Sequence, residues 1–74
     1  MKKLYQLEVN GRVFVTGKVV HLRGVPYRVK SIREITINEG IFGLTDRTYV
    51  IRLRNLNRGN EFEITDVHLK QIGL

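Results

Sequence analysis

The sequence predicts an all-β fold: a small, closed or nearly closed barrel of five or six short antiparallel strands, with one short helical turn near the C-terminus. Three observations point there. Val, Ile and Thr are abundant while alanine does not occur, the reverse of what a helical domain uses. Apolar and polar residues alternate in short runs, as they do on half-buried strands. Turn signals return roughly every 8 to 12 residues, the spacing of small sandwiches and barrels, and closure would hide the strand edges that such a ribbon otherwise exposes. The 74 residues fit one domain, residues 1–74, with a compact radius of gyration of roughly 11 Å.

The first hairpin is Leu4-Tyr5-Gln6-Leu7-Glu8-Val9 and Arg12-Val13-Phe14-Val15-Thr16 around Asn10-Gly11, a dipeptide that accepts the positive φ angles of a type I′ turn. That turn sets Leu7 opposite Phe14 and Tyr5 opposite Thr16, giving an apolar, aromatic face that looks inward. A second two-residue turn at Arg23-Gly24 pairs Leu22 with Val25, Val20 with Tyr27 and Lys18 with Val29, whereas a one-residue slip pairs apolar with polar residues. His21, Arg28 and Lys30 then share the opposite face, and Pro26, which has no N–H to donate, belongs at an outward or edge-facing ladder position. At Ser31 the alternation changes phase, which marks a bulge.

Residues 35–48 read as a strand end, a tight turn at Asn38-Glu39-Gly40 and a loop. Tyr49–Asn55 and Glu61–Thr65 form a third hairpin through Asn57-Arg58-Gly59-Asn60, with Leu53 opposite Ile64, Asn55 opposite Phe62, and Arg54 meeting Glu63 on the other face. Thr65-Asp66 caps a helical turn through Val67-His68-Leu69, after which Lys70-Gln71-Ile72 resumes an extended course.

Composition excludes several function classes. The chain has no cysteine, so disulfides, thiolate catalysis and Cys-based zinc sites are out, and a reducing, cytoplasmic setting is expected. No apolar run approaches a membrane span, and Lys2-Lys3 is followed by a stretch too polar for a signal peptide, so the mature chain is expected to begin at Met1. His21 and His68 have no third ligand at metal spacing, Asp66 and His68 are offset on a helical turn, and the sole serine, Ser31, sits in no nucleophile elbow. No catalytic residue, metal, cofactor or small-molecule substrate is expected.

Two segments carry a resemblance. Gly17-Lys18-Val19-Val20-His21-Leu22-Arg23-Gly24-Val25-Pro26-Tyr27-Arg28-Val29 resembles the Gly-x-x-Val…Gly-x-Pro-Tyr-x-Val run in the first domain of bacterial elongation factor P. Tyr49-Val50-Ile51-Arg52-Leu53-Arg54-Asn55-Leu56-Asn57-Arg58-Gly59 resembles a later strand of that domain, ending in a similar Leu-(Lys/Arg)-Asn-Leu-x-x-Gly turn. The two cover about a third of the chain and imply an SH3-like, KOW-like barrel, a scaffold shared by many translation, transcription and chromatin proteins. That family carries a modified lysine on the loop before the later strand. Here the loop is Gly43-Leu44-Thr45-Asp46-Arg47-Thr48, with no lysine, so its peptide-bond activity is not implied. The family continues into further domains where this chain ends, and the expectation is a free-standing barrel of the kind found in phages, plasmids and bacterial accessory proteins.

Lys and Arg number 13 against 7 acidic residues, for a net charge of +6 and a pI near 10.2, which points to a polyanionic partner. Arg28 and Lys30 on one strand and Arg52 and Arg54 on another, with Arg23 and Arg58 in turns, form the candidate nucleic-acid surface if the two strands are neighbours; DNA and RNA fit equally. Set against this is a plain solvated face, with Arg54 neutralised by Glu63. The aromatic residues Tyr5, Phe14, Tyr27, Tyr49 and Phe62 read as core. Ile41, Phe42 and Leu44, flanking or lying between Gly40 and Gly43, are expected to plug the core. Were they exposed, they would anchor a protein partner, the rival reading being an interaction module that attaches to a host enzyme or a structural subunit.

Overall fold

The computed structural model describes residues 2–38 and 45–74. Seven strands and one helix follow in order: β1 (Lys2–Leu4), β2 (Gln6–Val9), β3 (Arg12–Val15), β4 (Val19–Leu22), β5 (Val25–Asn38), β6 (Thr45–Asn55), β7 (Glu61–Thr65) and α1 (Asp66–Gln71). The fold is all-β with one short C-terminal helix. All ladders are antiparallel, β1-β5-β6-β7 form one sheet with β4 also on β5, and β2-β3 form a separate ribbon. Among the described residues these ladders do not close into a barrel.

β5 organises the sheet. β6 lies along one edge, and the other edge is shared by β4, paired to Val25–Arg28, and β1, paired to Ile32–Glu34. Between them the register shifts across Val29 and Ser31, the bulge expected from the phase change there; Lys30 is the extra residue. Pro26 causes no break, because its carbonyl accepts the Leu56 N–H at 3.0 Å, just beyond Asn55, the last residue of β6, which pairs with Tyr27. Its ring nitrogen therefore faces the end of that ladder.

Both two-residue turns form as their sequences dictate. Asn10 and Gly11 have φ of 53° and 76°, Arg23 and Gly24 of 50° and 80°, the paired left-handed conformations of a type I′ turn. The resulting registers, Leu7 with Phe14, Val20 with Tyr27 and Leu22 with Val25, are those the alternation requires.

The third hairpin corrects its expected register by two residues: Leu53 faces Phe62, Ile51 faces Ile64, and Arg54 faces Glu61. The turn explains the shift. Asn55 takes the Gly59 N–H on its carbonyl and donates its own N–H to Asn60, while its side-chain oxygen accepts the N–H groups of Asn57 and Arg58. The four-residue loop is thus Leu56–Gly59, and it ends on the residue with φ of 82° rather than placing that residue in its interior.

Thr65 caps α1 by accepting the His68 N–H at 3.1 Å. The chain then stays helical to Gln71 instead of extending. Gly73 (φ 74°) lets the Leu74 N–H return to the Leu69 carbonyl at 3.0 Å and the Gly73 N–H to that of Lys70, a Schellman end that brings Leu74 back against the core.

That core lies between the inner face of the sheet and the β2-β3 ribbon: Val9, Phe14, Val20, Leu22, Val29, Ile32, Ile51, Leu53 and Leu69 are buried, with Tyr27, Phe62, Leu7 and Ile64 packed at its rim. Tyr27 and Phe62 meet edge to face at 5.7 Å. Tyr5 is not a core residue. A bend at Tyr5 separates β1 from β2, and the ring is 67% exposed. Nor is 45–48 a loop: β5 and β6 stay paired to Asn38 and Thr45, beyond the last residues held by β1 and β7. This two-stranded extension lengthens the molecule to 44 × 23 × 20 Å and raises the radius of gyration to 13.2 Å.

Candidate nucleic-acid interface

The β5-β6 ladder meets the condition on which the basic surface depended. Leu53 and Ile51 point inward, so Arg52 and Arg54 point out; Val29 and Ile32 point inward, so Arg28 and the bulge residue Lys30 point out. Arg28 pairs directly with Arg54, and Ser31, next to Lys30, pairs with Arg52. All four cationic side chains belong to exposed residues. On the neighbouring strands the same face carries Val19, His21 and Lys3.

Like charges placed directly across an antiparallel pair destabilise it by a few tenths of a kcal/mol to about 1 kcal/mol. One carboxylate offsets the cluster. Arg52 Nε donates to Glu61 Oε1 at 3.0 Å and Arg54 Nη1 donates to Glu61 Oε2 at 3.2 Å. These two bonds, with the added charges of Arg52 and Lys30, hold the Glu61 carboxyl below its ordinary range despite partial desolvation. Arg28 Nη1 donates to the Gly17 carbonyl at 2.8 Å, which fixes the guanidinium without neutralising it. Glu63, expected to serve Arg54, pairs with Arg33 instead.

Two of the candidate arginines stand apart. Arg23 Nη2 donates to the Ile72 carbonyl at 3.1 Å, and Asn10 Nδ2 donates to the backbone oxygens of Leu69 and Leu74 at 3.3 and 2.7 Å. The tips of the first two hairpins therefore bond backbone carbonyls at and just beyond the end of α1, and Arg23 has a structural bond in place of a position in the cluster. Arg58 lies exposed in the β6-β7 turn, one residue from Gly59, beside which the Arg54 guanidinium packs.

Asp66 is buried, accepts the Tyr49 N–H at 3.0 Å and faces Lys70 at 3.8 Å, so its carboxylate locks α1 to β6. Among the described residues no cluster of three or more His, Cys, Asp or Glu side chains forms a metal-binding group. No helix there is long and apolar enough to cross a membrane. Ile41, Phe42 and Leu44 lie outside the described residues. No family model, curated protein or solved structure matches the chain.

Proposed function

We propose that the protein binds the phosphate backbone of nucleic acid through the outer face of the β5-β6 ladder, with Arg28, Lys30, Arg52 and Arg54 as the contacting residues and Arg58 at the margin. The observation that carries this reading is the pairing of Arg28 with Arg54 beside Lys30 and Arg52, with Glu61 as counter-charge. Glu61 offsets only part of that positive charge, whereas a polyanion would neutralise the rest. Arginine's planar fork suits phosphate oxygens, and a face without aromatic platforms at the cluster favours backbone contact over base stacking. The two segments that resemble a translation-factor domain are also those that contain Arg28, Arg52, Arg54 and Arg58, which is consistent with a nucleic-acid accessory role.

Fluorescence anisotropy with labelled duplex DNA and single-stranded RNA, titrated across salt, tests the reading. Three net charges give a slope of log K against log salt near −3, at about −0.9 per phosphate on duplex. Arg28→Ala, Lys30→Ala and Arg52→Ala should each make it shallower by about one and leave the melting temperature nearly unchanged. Binding indifferent to salt, or none to either polymer at low salt, overturns the proposal.

A further inference from the structure

We propose that Glu61 is an internal competitor for the polyanion: its carboxylate occupies the place of a backbone phosphate between Arg52 and Arg54, so that only a ligand with several phosphates displaces it. This rests on the function proposed above and concerns how the same surface selects its ligand.

The geometry is that of an occupied anion site. Each Glu61 oxygen takes a different guanidinium, Oε1 from Arg52 and Oε2 from Arg54, as two oxygens of one phosphate do. The register makes this a choice of partners rather than a default. Glu63 is directly opposite Arg52 on β7, yet Glu63 pairs with Arg33, and Arg52 reaches along the strand to share Glu61 with Arg54. The site is also reachable. Both arginine side chains keep 46% of their surface exposed and Glu61 keeps 24%, so incoming phosphate and water can exchange with the carboxylate.

Energetics then sets which ligands succeed. Exposed ion pairs are worth about 0–1 kcal/mol each, so displacing the carboxylate costs little to a ligand that brings compensating contacts. A lone phosphate brings none and competes with a tethered group whose effective concentration is in the millimolar range. A polymer that also engages Arg28 and Lys30 gains contacts Glu61 does not reach, so a strand is bound where a single phosphate is not.

The test compares the intact protein with Glu61→Gln, Glu61→Asp and Glu63→Gln, using fluorescein-labelled oligothymidylate and a labelled DNA duplex over a salt series. Glu61→Gln should bind about fivefold tighter, with a duplex slope steeper by about 0.9. Glu61→Asp keeps the charge but withdraws it by one methylene, and should gain part of that increase. Glu63→Gln removes the same charge from the same face outside the cluster and should change affinity less than twofold. Equal gains for Glu61→Gln and Glu63→Gln mean that net charge alone acts, and overturn the inference. So does an affinity unchanged by both Glu61 variants in a protein whose binding still falls with Arg52→Ala, an outcome that leaves the proposed function intact. If neither the parent nor any variant binds at low salt, both proposals fall. Should Glu61→Gln fail to fold, Glu61→Asp decides by the same criterion.

Discussion

The two faces of the β5-β6 ladder obey opposite rules. Inward, Val29 meets Leu53 and Ile32 meets Ile51, all between 0 and 1% exposed, and each pair adds apolar contact to the same core. Outward, one residue along in each strand, Arg28 meets Arg54 and Ser31 with Lys30 meets Arg52. The first set is self-consistent: strand propensity, alternation and burial agree. The second conflicts with itself, and the conflict is eased by Glu61 rather than removed. Sequences that fold well keep local and global preferences in agreement, and departures concentrate where function demands them. One side of this ladder is therefore a structural element built on burial, and the other, sharing the same backbone, is the face proposed above to bind phosphate.

The sharpest way to break that comparison is to truncate neighbours on opposite faces. Leu53→Ala empties a fully buried site and should cost about 2–5 kcal/mol, a large part of the stability of a small domain. Arg54→Ala, one position on, removes an exposed ion pair and a like-charge contact together and should stay within about 1 kcal/mol. Urea denaturation of both measures the contrast, and an Arg54→Ala penalty approaching that of Leu53→Ala shows the outer face to be structural too.

How much of this was legible in the sequence depends on the turn. Asn10-Gly11 and Arg23-Gly24 each admit one tight turn, and a single register follows from each. At residues 55–60 the register hangs on which residue closes the loop and on the Asn55 side chain, neither of which alternation reports. The resulting shift of two residues preserved every inward and outward assignment, because the side-chain period in a strand is two. It did exchange the counter-ions: Glu61, rather than Glu63, meets Arg54, so the feature that defines the site was hidden behind a register. The bend at Tyr5 left one trace, the adjacent apolar residues Leu4 and Tyr5, which interrupt the alternation that continues through Leu7 and Val9. At the C-terminus, Gly73, with φ of 74°, is a stop signal placed after Gln71-Ile72, and the helix runs up to it in place of the extended course expected of Lys70-Gln71-Ile72.

A smaller effect sharpens the comparison by testing membership of the outer face. Charge alone groups Arg23 with the basic residues, yet its guanidinium is bonded to the Ile72 carbonyl and its φ is 50°. Asn accepts that backbone conformation more readily than arginine does but has too short a side chain to reach α1. Arg23→Asn should therefore trade one exposed hydrogen bond against relief of a left-handed residue, for a net stability change within about 1 kcal/mol. Affinity for DNA and the salt slope should not move. A slope shallower by about one, matching Arg28→Ala, places Arg23 in the binding surface after all.

The smallest expected effect is on pH dependence, and it isolates Glu61. Hydrogen bonds from Arg52 and then Arg54, followed by the charges of Arg52 and Lys30, hold the folded-state carboxyl below its ordinary value of 4.5. The unfolded chain therefore takes up this proton first as the solution is acidified. The contribution of Glu61 to stability is complete above that ordinary value and is lost as pH falls through the lowered folded-state value. Melting temperatures of the parent and of Glu61→Gln should accordingly converge on acidification through that interval, with Glu63 present in both proteins and so cancelling in the difference. Binding moves the other way. Once Glu61 is protonated it no longer holds Arg52 and Arg54, while phosphodiesters stay ionised, so the affinity of the parent for oligothymidylate, whose bases do not protonate there, should rise to meet that of Glu61→Gln. Parallel curves, with the two proteins keeping a constant ratio of affinities through the acid interval, would mean that the carboxylate and the backbone never compete for the same guanidinium groups.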